Sequence, residues 1–529
     1  MSKKTRHITL IIISAVCLIA LFCTVFFIFF KDDGQTRQHK IKNKLDESID
    51  IVPFYSEGNL LAYKNGEIIM LAQNVYDKTA TDPLYTADYA LDKNGNILFV
   101  FDKKLYLNKD GKTTLLINNV IAWKISNDFS RVAFITNTLS SAEKGSLYLF
   151  VDDEVKILDT NVLASSMHFS TDGKTLYAQK ANIYPKNRYM LLKYSDSLES
   201  IVVLEECDPI KLVLQDAVIC GREVDELYQY TIYSSNFKKS VQVDKTFYPS
   251  ISENGKYAFF IKNYTYPQEC GTLVKIDLKN LKQTEIASQV SLFSCDVVTN
   301  SNEGIVYTRA DGEETFSIFY KAFSSKEEVR LIRQTNESAI YNVAVNTKQN
   351  SAFLLTNAPR RIDNAIYYLD FSGNLKTTKI IDGYVDSLTY YEEFDKVTFV
   401  LEPETNSNVY LSDKNASITL LGENVANQYD NTLRKFSAKA VLLGDGQSSV
   451  IFKQTDKDPD ICNMYLSKNG QEEVIAENVL TKEFFMPIIQ ADAKQIFYCV
   501  EENEKVNLYC YANGQTECIT KEIDGIVDL

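Results

Sequence analysis

The stretch Phe-Ser-Thr-Asp-Gly-Lys-Thr-Leu-Tyr, residues 169–177, is the best clue to the fold of this chain, because degenerate copies of it recur along most of the sequence. Its Asp-Gly dipeptide is typical of a tight turn, since glycine accepts a positive φ and aspartate can hydrogen-bond its own backbone. Apolar and aromatic residues on both sides predict a strand–turn–strand unit. Two more predicted strands follow at residues 189–194 and 201–204, so about forty residues hold four short strands.

The same pattern predicts a chain of four-stranded repeats from about residue 51 to the end. Related turns, each next to an apolar strand, lie at Asn94-Gly95, Asn127-Asp128, Asn254-Gly255, Glu303-Gly304, Gln349-Asn350, Phe394-Asp395, Asp445-Gly446 and Asp492-Ala493. Their spacing runs from 36 residues (Asp92 to Asp128) to 51 residues (Asp395 to Gly446). A period of about 40–45 residues with four strands per unit indicates an all-β protein of the β-propeller class.

The units resemble TolB-type β-propeller repeats, which are relatives of the WD-repeat class. The resemblance is carried by residues 169–174 and by the Leu-Tyr strand that follows them, and it covers nearly all of residues 51–529. Most copies are degenerate, and none contains a Trp-Asp dipeptide. The resemblance implies the propeller fold; it implies binding surfaces only in general terms, because this fold hosts many functions.

The end of the chain predicts how the repeats close. Ile523–Leu529 matches Ile381–Leu388, which opens a repeat, so we expect the C-terminal strand to complete the N-terminal blade and remove a sheet edge. Ten or eleven units can be counted, whereas single propellers have about 4–8 blades. The sequence therefore leaves two arrangements open: one large ring, or two rings divided near residues 288–300.

The composition favours a β-rich protein and argues against a nucleic-acid partner. Aromatic residues make up 12% of the 529 residues, with 32 Tyr and 29 Phe, and these side chains suit half-buried strands. The formal net charge is −14, whereas a general nucleic-acid binder needs basic side chains to meet phosphates.

An apolar run near the N-terminus predicts a membrane anchor. Residues 8–30 carry no charge and are long enough to span a bilayer as a helix. No small-residue cleavage site follows, so a transmembrane signal-anchor is expected rather than a signal peptide. Residues 1–7 are then a short cytoplasmic tail, residues 31–50 a polar juxtamembrane linker, and residues 51–529 an extracytoplasmic body. Basic residues flank the run on both sides, so this orientation rests on the size of the domain that follows.

Ten cysteines are present, and two of them lie in the apolar run. The other eight are Cys207, Cys220, Cys270, Cys295, Cys462, Cys499, Cys510 and Cys518. Without a C-x-x-C pair and with only three histidines, the sequence gives little support to a zinc site. It favours buried free thiols and leaves disulfides open; the nearest pairings are Cys510 with Cys518 and Cys270 with Cys295, which lie in adjacent predicted strands.

Signatures of hydrolases and nucleotide sites are missing from the sequence. There is no G-x-S-x-G, no G-x-x-x-x-G-K-[ST] and no dinucleotide fingerprint. His168 is the only histidine beyond residue 39 and lies in a predicted inner strand, so we expect a structural or channel-lining role. Asp172 belongs to the turn. We therefore assign no catalytic, cofactor-binding or metal-binding residue and predict no cofactor.

Three charged segments are interpreted as solvated loops. Residues 456–460 alternate carboxylates as a calcium loop does, but glycine is missing at the sixth position and Ser467 stands where the bidentate glutamate would be. The pairs Lys238-Lys239 and Arg360-Arg361 are isolated in predicted loops.

These features predict a membrane-anchored, extracytoplasmic β-propeller that acts as a non-catalytic binding or scaffolding module for a protein partner at the cell envelope. The first alternative is an envelope carbohydrate-acting enzyme with paired carboxylates about 5–10 Å apart. The second is a single-pass sensor of an extracellular ligand, signalling through residues 1–7. An exposed apolar blade surface would favour the protein-binding role.

Overall fold

A computed structural model describes residues 52–526 with short internal gaps, of which residues 74–87 are the longest. Among the described residues, no helix is long and apolar enough to cross a membrane. The predicted tail, anchor and linker, residues 1–50, lie outside the described part of the chain.

The described chain is all-β apart from a 3-10 turn at Ala164–Ser166, and its strands pair antiparallel in a propeller-like succession of four-stranded units. Unit 1 consists of β1 (Val52–Ser56), β2 (Asn59–Lys64) and β3 (Glu67–Ala72), and unit 2 consists of β4 (Asp88–Leu91), β5 (Ile97–Phe101), β6 (Lys104–Lys109) and β7 (Lys112–Asn118). Unit 3 consists of β8 (Val120–Ile125), β9 (Val132–Thr136), β10 (Lys144–Val151) and β11 (Glu154–Leu163). Unit 4 consists of β12 (His168–Phe169), β13 (Leu176–Ala181), β14 (Tyr189–Tyr194) and β15 (Ser200–Cys207).

Units 5 to 8 follow the same plan. Unit 5 consists of β16 (Ile210–Val213), β17 (Ala217–Val224), β18 (Leu227–Ser234) and β19 (Ser240–Thr246), and unit 6 consists of β20 (Ser250–Ile251), β21 (Tyr257–Thr265), β22 (Cys270–Asp277) and the first part of β23 (Gln283–Val298). Unit 7 consists of the rest of β23 with β24 (Glu303–Ala310), β25 (Thr315–Ala322) and β26 (Val329–Thr335). Unit 8 consists of β27 (Ala339–Asn346), β28 (Ser351–Asn357), β29 (Asn364–Asp370) and β30 (Lys376–Gly383).

Units 9 to 11 complete the described strands. Unit 9 consists of β31 (Val385–Tyr391), β32 (Lys396–Leu401), β33 (Asn406–Asp413) and β34 (Ile418–Asp430), and the far end of β34 pairs with β35 (Lys435–Ala438). Unit 10 consists of β36 (Ala440–Leu442), β37 (Ser449–Gln454), β38 (Ile461–Lys468) and β39 (Gln471–Leu480). Unit 11 consists of β40 (Ile488–Ile489), β41 (Gln495–Glu502), β42 (Lys505–Ala512) and β43 (Gln515–Thr520). The last strand, β44 (Gly525–Ile526), pairs with β1, so it serves as the first strand of unit 1.

The turn in residues 169–177 forms as the sequence predicts. His168 pairs with Tyr177 across the hairpin. Asp172 Oδ1 accepts hydrogen bonds from Ser170 Oγ (2.6 Å) and from the Lys174 amide (3.1 Å). These bonds place the Asp172 carboxylate in the turn, as the sequence predicts, and they lower its pKa. Gly173 adopts φ 70°, a conformation that favours glycine.

The fourth strand of each unit is irregular. In all eleven described units, the pairing register shifts between the third and fourth strands. Such bulges twist a strand and protect an edge from pairing with another chain. In several units an Asn-Val pair ends the irregular strand: Asn161 and Asn478 take positive φ angles (58° and 55°), and Val162 and Val479 are fully buried behind them.

Aromatic pairs connect the second and third strands. The rings of Phe99 and Tyr106 stack with centroids 5.0 Å apart, and those of Phe134 and Tyr148 stack at 5.5 Å. Each pair lies directly opposite across its two strands. Because offset stacking adds to area burial, this arrangement accounts for part of the high Tyr and Phe content.

Hydrophobic cores lie between neighbouring units, and they run in a closed order. Among the described residues, eleven buried clusters join each unit to the next, and one of them joins unit 11 to unit 1. Strand β23 runs without interruption through residues 288–298, where a division into two rings is predicted, and a core packs its first half against unit 7. The cores therefore close the succession of units from unit 11 back to unit 1.

Candidate functional site

Apolar side chains are exposed along the fourth strands of units 1 to 4. The exposed fraction is 60% for Ile157, 46% for Leu115, 47% for Val202 and 39% for Met70. Further exposed apolar side chains on the same four strands are Ile68, Val155 and Ile201. Single exposed apolar residues also occur on the fourth strands of other units, at Val329, Ile418 and Val474, whereas four consecutive units carry seven of them. Such a concentration favours an interaction surface. We call these seven residues the apolar arc.

The bulge in the fourth strand of each unit determines which residues of the apolar arc are exposed. Tyr148 pairs with Ile157 and Leu147 pairs with Asp159, so Leu158 is an extra residue in β11. The extra residue bends the strand, so Ile157 is left exposed while Val162 returns to the core. Leu115 and Val202 hold the corresponding positions in units 2 and 4.

A groove of about 480 Å³ lies beside the arc, between units 2 and 3. It is lined by apolar and charged side chains: Leu107, Lys109, Lys112, Thr114, Leu116, Phe150 and Asp153. Lys109 Nζ lies 3.4 Å from Asp153 Oδ1, and both side chains are exposed. The lining can take an apolar side chain and offer ammonium groups to a carboxylate. It supplies one carboxylate among its described residues, whereas glycoside hydrolysis needs two.

His168 lies on β12, the first strand of unit 4, and is half-buried. Burial, with a smaller contribution from the positive charge of Lys124, lowers the pKa of His168 to about 4. The imidazole is therefore neutral near pH 7.

A buried carboxylate joins units 8 and 9. Asp395 is 4% exposed and accepts hydrogen bonds from Asn346 Nδ2 (3.2 Å), Ser351 Oγ (3.0 Å), Tyr368 Oη (3.1 Å) and Tyr390 Oη (3.2 Å). Burial and the neighbouring carboxylate raise the pKa of Tyr390 far above its usual range, and burial raises that of Tyr368 to about 12, so both hydroxyls stay protonated and donate. Sequence reasoning treated Asp395 only as a turn marker; no sequence signal places the two tyrosines beside it.

Neither of the two nearest cysteine pairings that the sequence leaves open is formed. All seven described cysteines are free, including Cys270, Cys510 and Cys518. Cys510 lies opposite Glu517 and is buried, whereas Cys518 lies opposite Tyr509 and is exposed. Because adjacent residues of a strand point to opposite faces, these two thiols cannot meet. The prediction of buried free thiols holds for five of the seven: Cys207, Cys220, Cys462, Cys499 and Cys510.

The charged segments are only partly described. Asp458 and Asp460 are exposed, and the Asp460 amide donates to Asp458 Oδ1 at 2.8 Å. Within the described residues, no group of three or more His, Cys, Asp or Glu side chains could hold a metal ion. Lys238 and Lys239 follow β18 in an exposed turn, while Arg360-Arg361 lies outside the described residues.

The apolar arc was not predicted from the sequence, although the sequence contains a pattern that marks it. Two apolar residues stand side by side just before the bulge, as in Leu115-Leu116 and Ile157-Leu158. Such a pair breaks the alternation expected of a strand with one buried face. The break marks the bulge, but only the structure shows which member is exposed.

No family model and no curated protein matches this sequence. Several solved structures do. A eukaryotic initiation factor is 8% identical, with 91% of this chain and 98% of that chain aligned and a TM-score of 0.44. Oligogalacturonate lyase in complex with manganese is 12% identical, with 64% and 96% aligned and a TM-score of 0.29. TolB from Acinetobacter baumannii is 12% identical, with 59% and 81% aligned and a TM-score of 0.24. These similar structures include TolB, the class of propeller that the repeats of this chain resemble.

Proposed function

We propose that this protein is a non-catalytic binding or scaffolding module at the cell envelope, anchored by residues 8–30 with its β-propeller body outside the cytoplasm. The observation that carries the binding role is the apolar arc on the fourth strands of units 1 to 4. Burying such side chains against a partner removes apolar area from water at about 25 cal/mol per Å². The anchor rests on the uncharged run of 23 residues in the sequence.

The groove between units 2 and 3 indicates the chemistry of the partner. Its apolar lining, which includes Leu107, Leu116 and Phe150, suits an aliphatic or aromatic side chain. Lys109 and Lys112 stand at the same groove in a protein whose net charge is −14. A protein segment with an apolar anchor residue next to an Asp or Glu fits this combination.

Site-specific photocrosslinking in intact membranes tests the proposal. A photoreactive amino acid at Leu115 should give a discrete protein adduct, and the double substitution Ile157→Glu with Ile201→Glu should abolish it. The matched control is Val474→Glu, because Val474 is also exposed (52%) and occupies the same position before the bulge in unit 10.

Equal adduct yield in the double variant and the control would contradict the assigned surface. Turnover of envelope carbohydrate by the purified protein, without any adduct, would instead favour the enzymatic alternative.

A further inference from the structure

Two lysines lie directly opposite each other at the groove between units 2 and 3. Lys109 is the last residue of β6, and it pairs with Lys112, the first residue of β7. Both residues are exposed and both line the groove. Like charges directly opposite each other in a strand pair repel and destabilise it. A carboxylate bound between the two ammonium groups would relieve this repulsion.

The corresponding pair is different in the other units. It is the pair of residues nearest the turn between the third and fourth strands, and among the eleven described units only unit 2 has two like charges there. In unit 1 Lys64 lies opposite Glu67, and in unit 10 Lys468 lies opposite Gln471. The paired lysines are therefore a property of the unit that borders the groove and not of the repeat.

Asp153 of unit 3 supplies a counter-ion to Lys109. The Lys109 Nζ atom lies 3.4 Å from both Asp153 carboxylate oxygens, and the side chains are 52% and 73% exposed. Asp152 and Asp153 form the turn between β10 and β11, where they take φ angles of 53° and 58°. Such an exposed ion pair contributes little to stability, so another carboxylate can replace it at low cost. Among the described residues, no carboxylate forms an ion pair with Lys112.

An apolar region lies next to the two lysines on the same face of the hairpin. Leu107 lies opposite Thr114, and both line the groove. Leu116 and Phe150 add further apolar surface to it. Because residues two apart in a strand lie about 7 Å apart on one face, the apolar region begins about 7 Å from the lysines. An extended peptide has the same spacing between the side chains of positions i and i+2.

We propose that Lys109 and Lys112 together bind a carboxylate of an extended protein segment, and that Asp153 occupies Lys109 in the free protein until that carboxylate displaces it. The segment has an acidic residue two positions from an apolar anchor residue. The choice of a protein segment as the occupant rests on the proposed function. With a formal net charge of −14, most of the protein repels an acidic segment, so the two lysines direct it to this groove. Asp153 competes with the incoming carboxylate and lowers its affinity.

Three synthetic peptides test the proposed spacing on the full-length protein in lipid nanodiscs, with Kd measured by saturation-transfer NMR. The first, Gly-Glu-Ser-Phe-Ser-Glu-Gly, has acidic residues two positions from the Phe on either side. The second replaces both Glu by Gln. The third, Gly-Ser-Glu-Phe-Glu-Ser-Gly, keeps the composition but moves the carboxylates next to the Phe, where they point to the opposite face of an extended chain. We expect the first peptide to bind about 3–10-fold more tightly than the other two. Equal Kd values would overturn the proposal.

Three variants test the roles of the charged residues. Lys112→Glu should weaken binding of the first peptide about tenfold, and Asp153→Asn should tighten it about two- to fivefold, because the internal competitor is lost. Asn tolerates the positive φ of this turn. The matched control is Lys468→Glu, since Lys468 is exposed at the corresponding place in unit 10, and it should change nothing. Unchanged binding in Asp153→Asn would contradict the competitor role; the wild-type comparison of peptides decides the case should a variant fail to fold.

The peptide titration and the photocrosslinking in membranes fail independently. A crosslinked adduct together with equal Kd values for the three peptides would overturn the assignment of the lysines and leave the binding role standing. The expected order of Kd values without any adduct would support the assignment and count against the proposed role in membranes. Self-association of the protein that Lys112→Glu abolishes, with none of the peptides bound, would assign the groove to a second copy of this chain and overturn the proposal.

Discussion

Phe54 pairs with Ile526 across an antiparallel bridge, so residues 472 positions apart (526 − 54) lie side by side in one sheet. Two further bonds secure the contact: the Asp524 amide donates to the Tyr55 carbonyl at 2.7 Å, and the Glu57 amide donates to Asp524 Oδ2 at 2.9 Å. This relationship confirms the predicted closure of the N-terminal blade by the C-terminal strand. Ile526 is 3% exposed and packs in the core between units 11 and 1.

Removing residues 524–529 should lower the Tm clearly, because it exposes the edge of β1 and opens that core. The smaller change Ile526→Ala should lower the free energy of unfolding by about 2–4 kcal/mol through the cavity it leaves. Thermal denaturation measures the loss of Tm in the truncated chain, and chemical denaturation measures the loss of unfolding free energy in Ile526→Ala. Ile418→Ala, at a 40% exposed position, is the control and should cost well under half as much. Unchanged melting of the truncated chain would show that the closure contributes nothing to stability.

Asp395→Ala should destabilise the protein by about 3–5 kcal/mol, because four buried donors lose their acceptor. Asp395 also holds φ 51°, a conformation that asparagine tolerates better than alanine. Asp395→Asn should therefore cost less than Asp395→Ala. Urea denaturation compares these variants with Asp382→Ala, whose exposed ion pair with Lys379 should matter by less than about 0.5 kcal/mol. Equal losses at positions 395 and 382 would contradict the structural role of the buried carboxylate.

His168 should make stability depend on pH. Its pKa is about 4 in the folded protein and near 6.5 when unfolded, so the unfolded chain binds more protons between these values. Stability is then lost as pH falls from about 6.5 to about 4, by roughly 2 kcal/mol for a half-buried group. Urea denaturation across this range, compared between the wild type and His168→Gln, isolates the contribution. Parallel pH profiles in the two proteins would show that His168 does not titrate in this way.

Cys518 provides a test of the proposed topology, because it is the exposed thiol among the described cysteines. If the body lies outside the cytoplasm, a membrane-impermeant maleimide should label intact cells expressing the wild-type protein. Labelling should fall in Cys518→Ser and should be unchanged in Cys499→Ser, whose thiol is buried. Labelling of Cys518 only after the membrane is permeabilised would place the body inside.

Short segments of the sequence were enough to predict the local structure and, through it, the fold class. Asp172 and Gly173 encode a turn through their own backbone preferences, and the match of residues 523–529 to residues 381–388 predicted the closure. These are properties of short segments or of repetition, so they can be read without coordinates.

Which residues meet between units depends on how the strands pack in three dimensions. The cyclic order of the cores and the partners of Asp395 each join different strands or different units. The exposure of Ile157 likewise depends on a bulge whose register is set by the neighbouring strand. Such features depend on how strands pair and pack. The intrinsic propensity of a single residue does not show which residue will lie opposite it in the sheet.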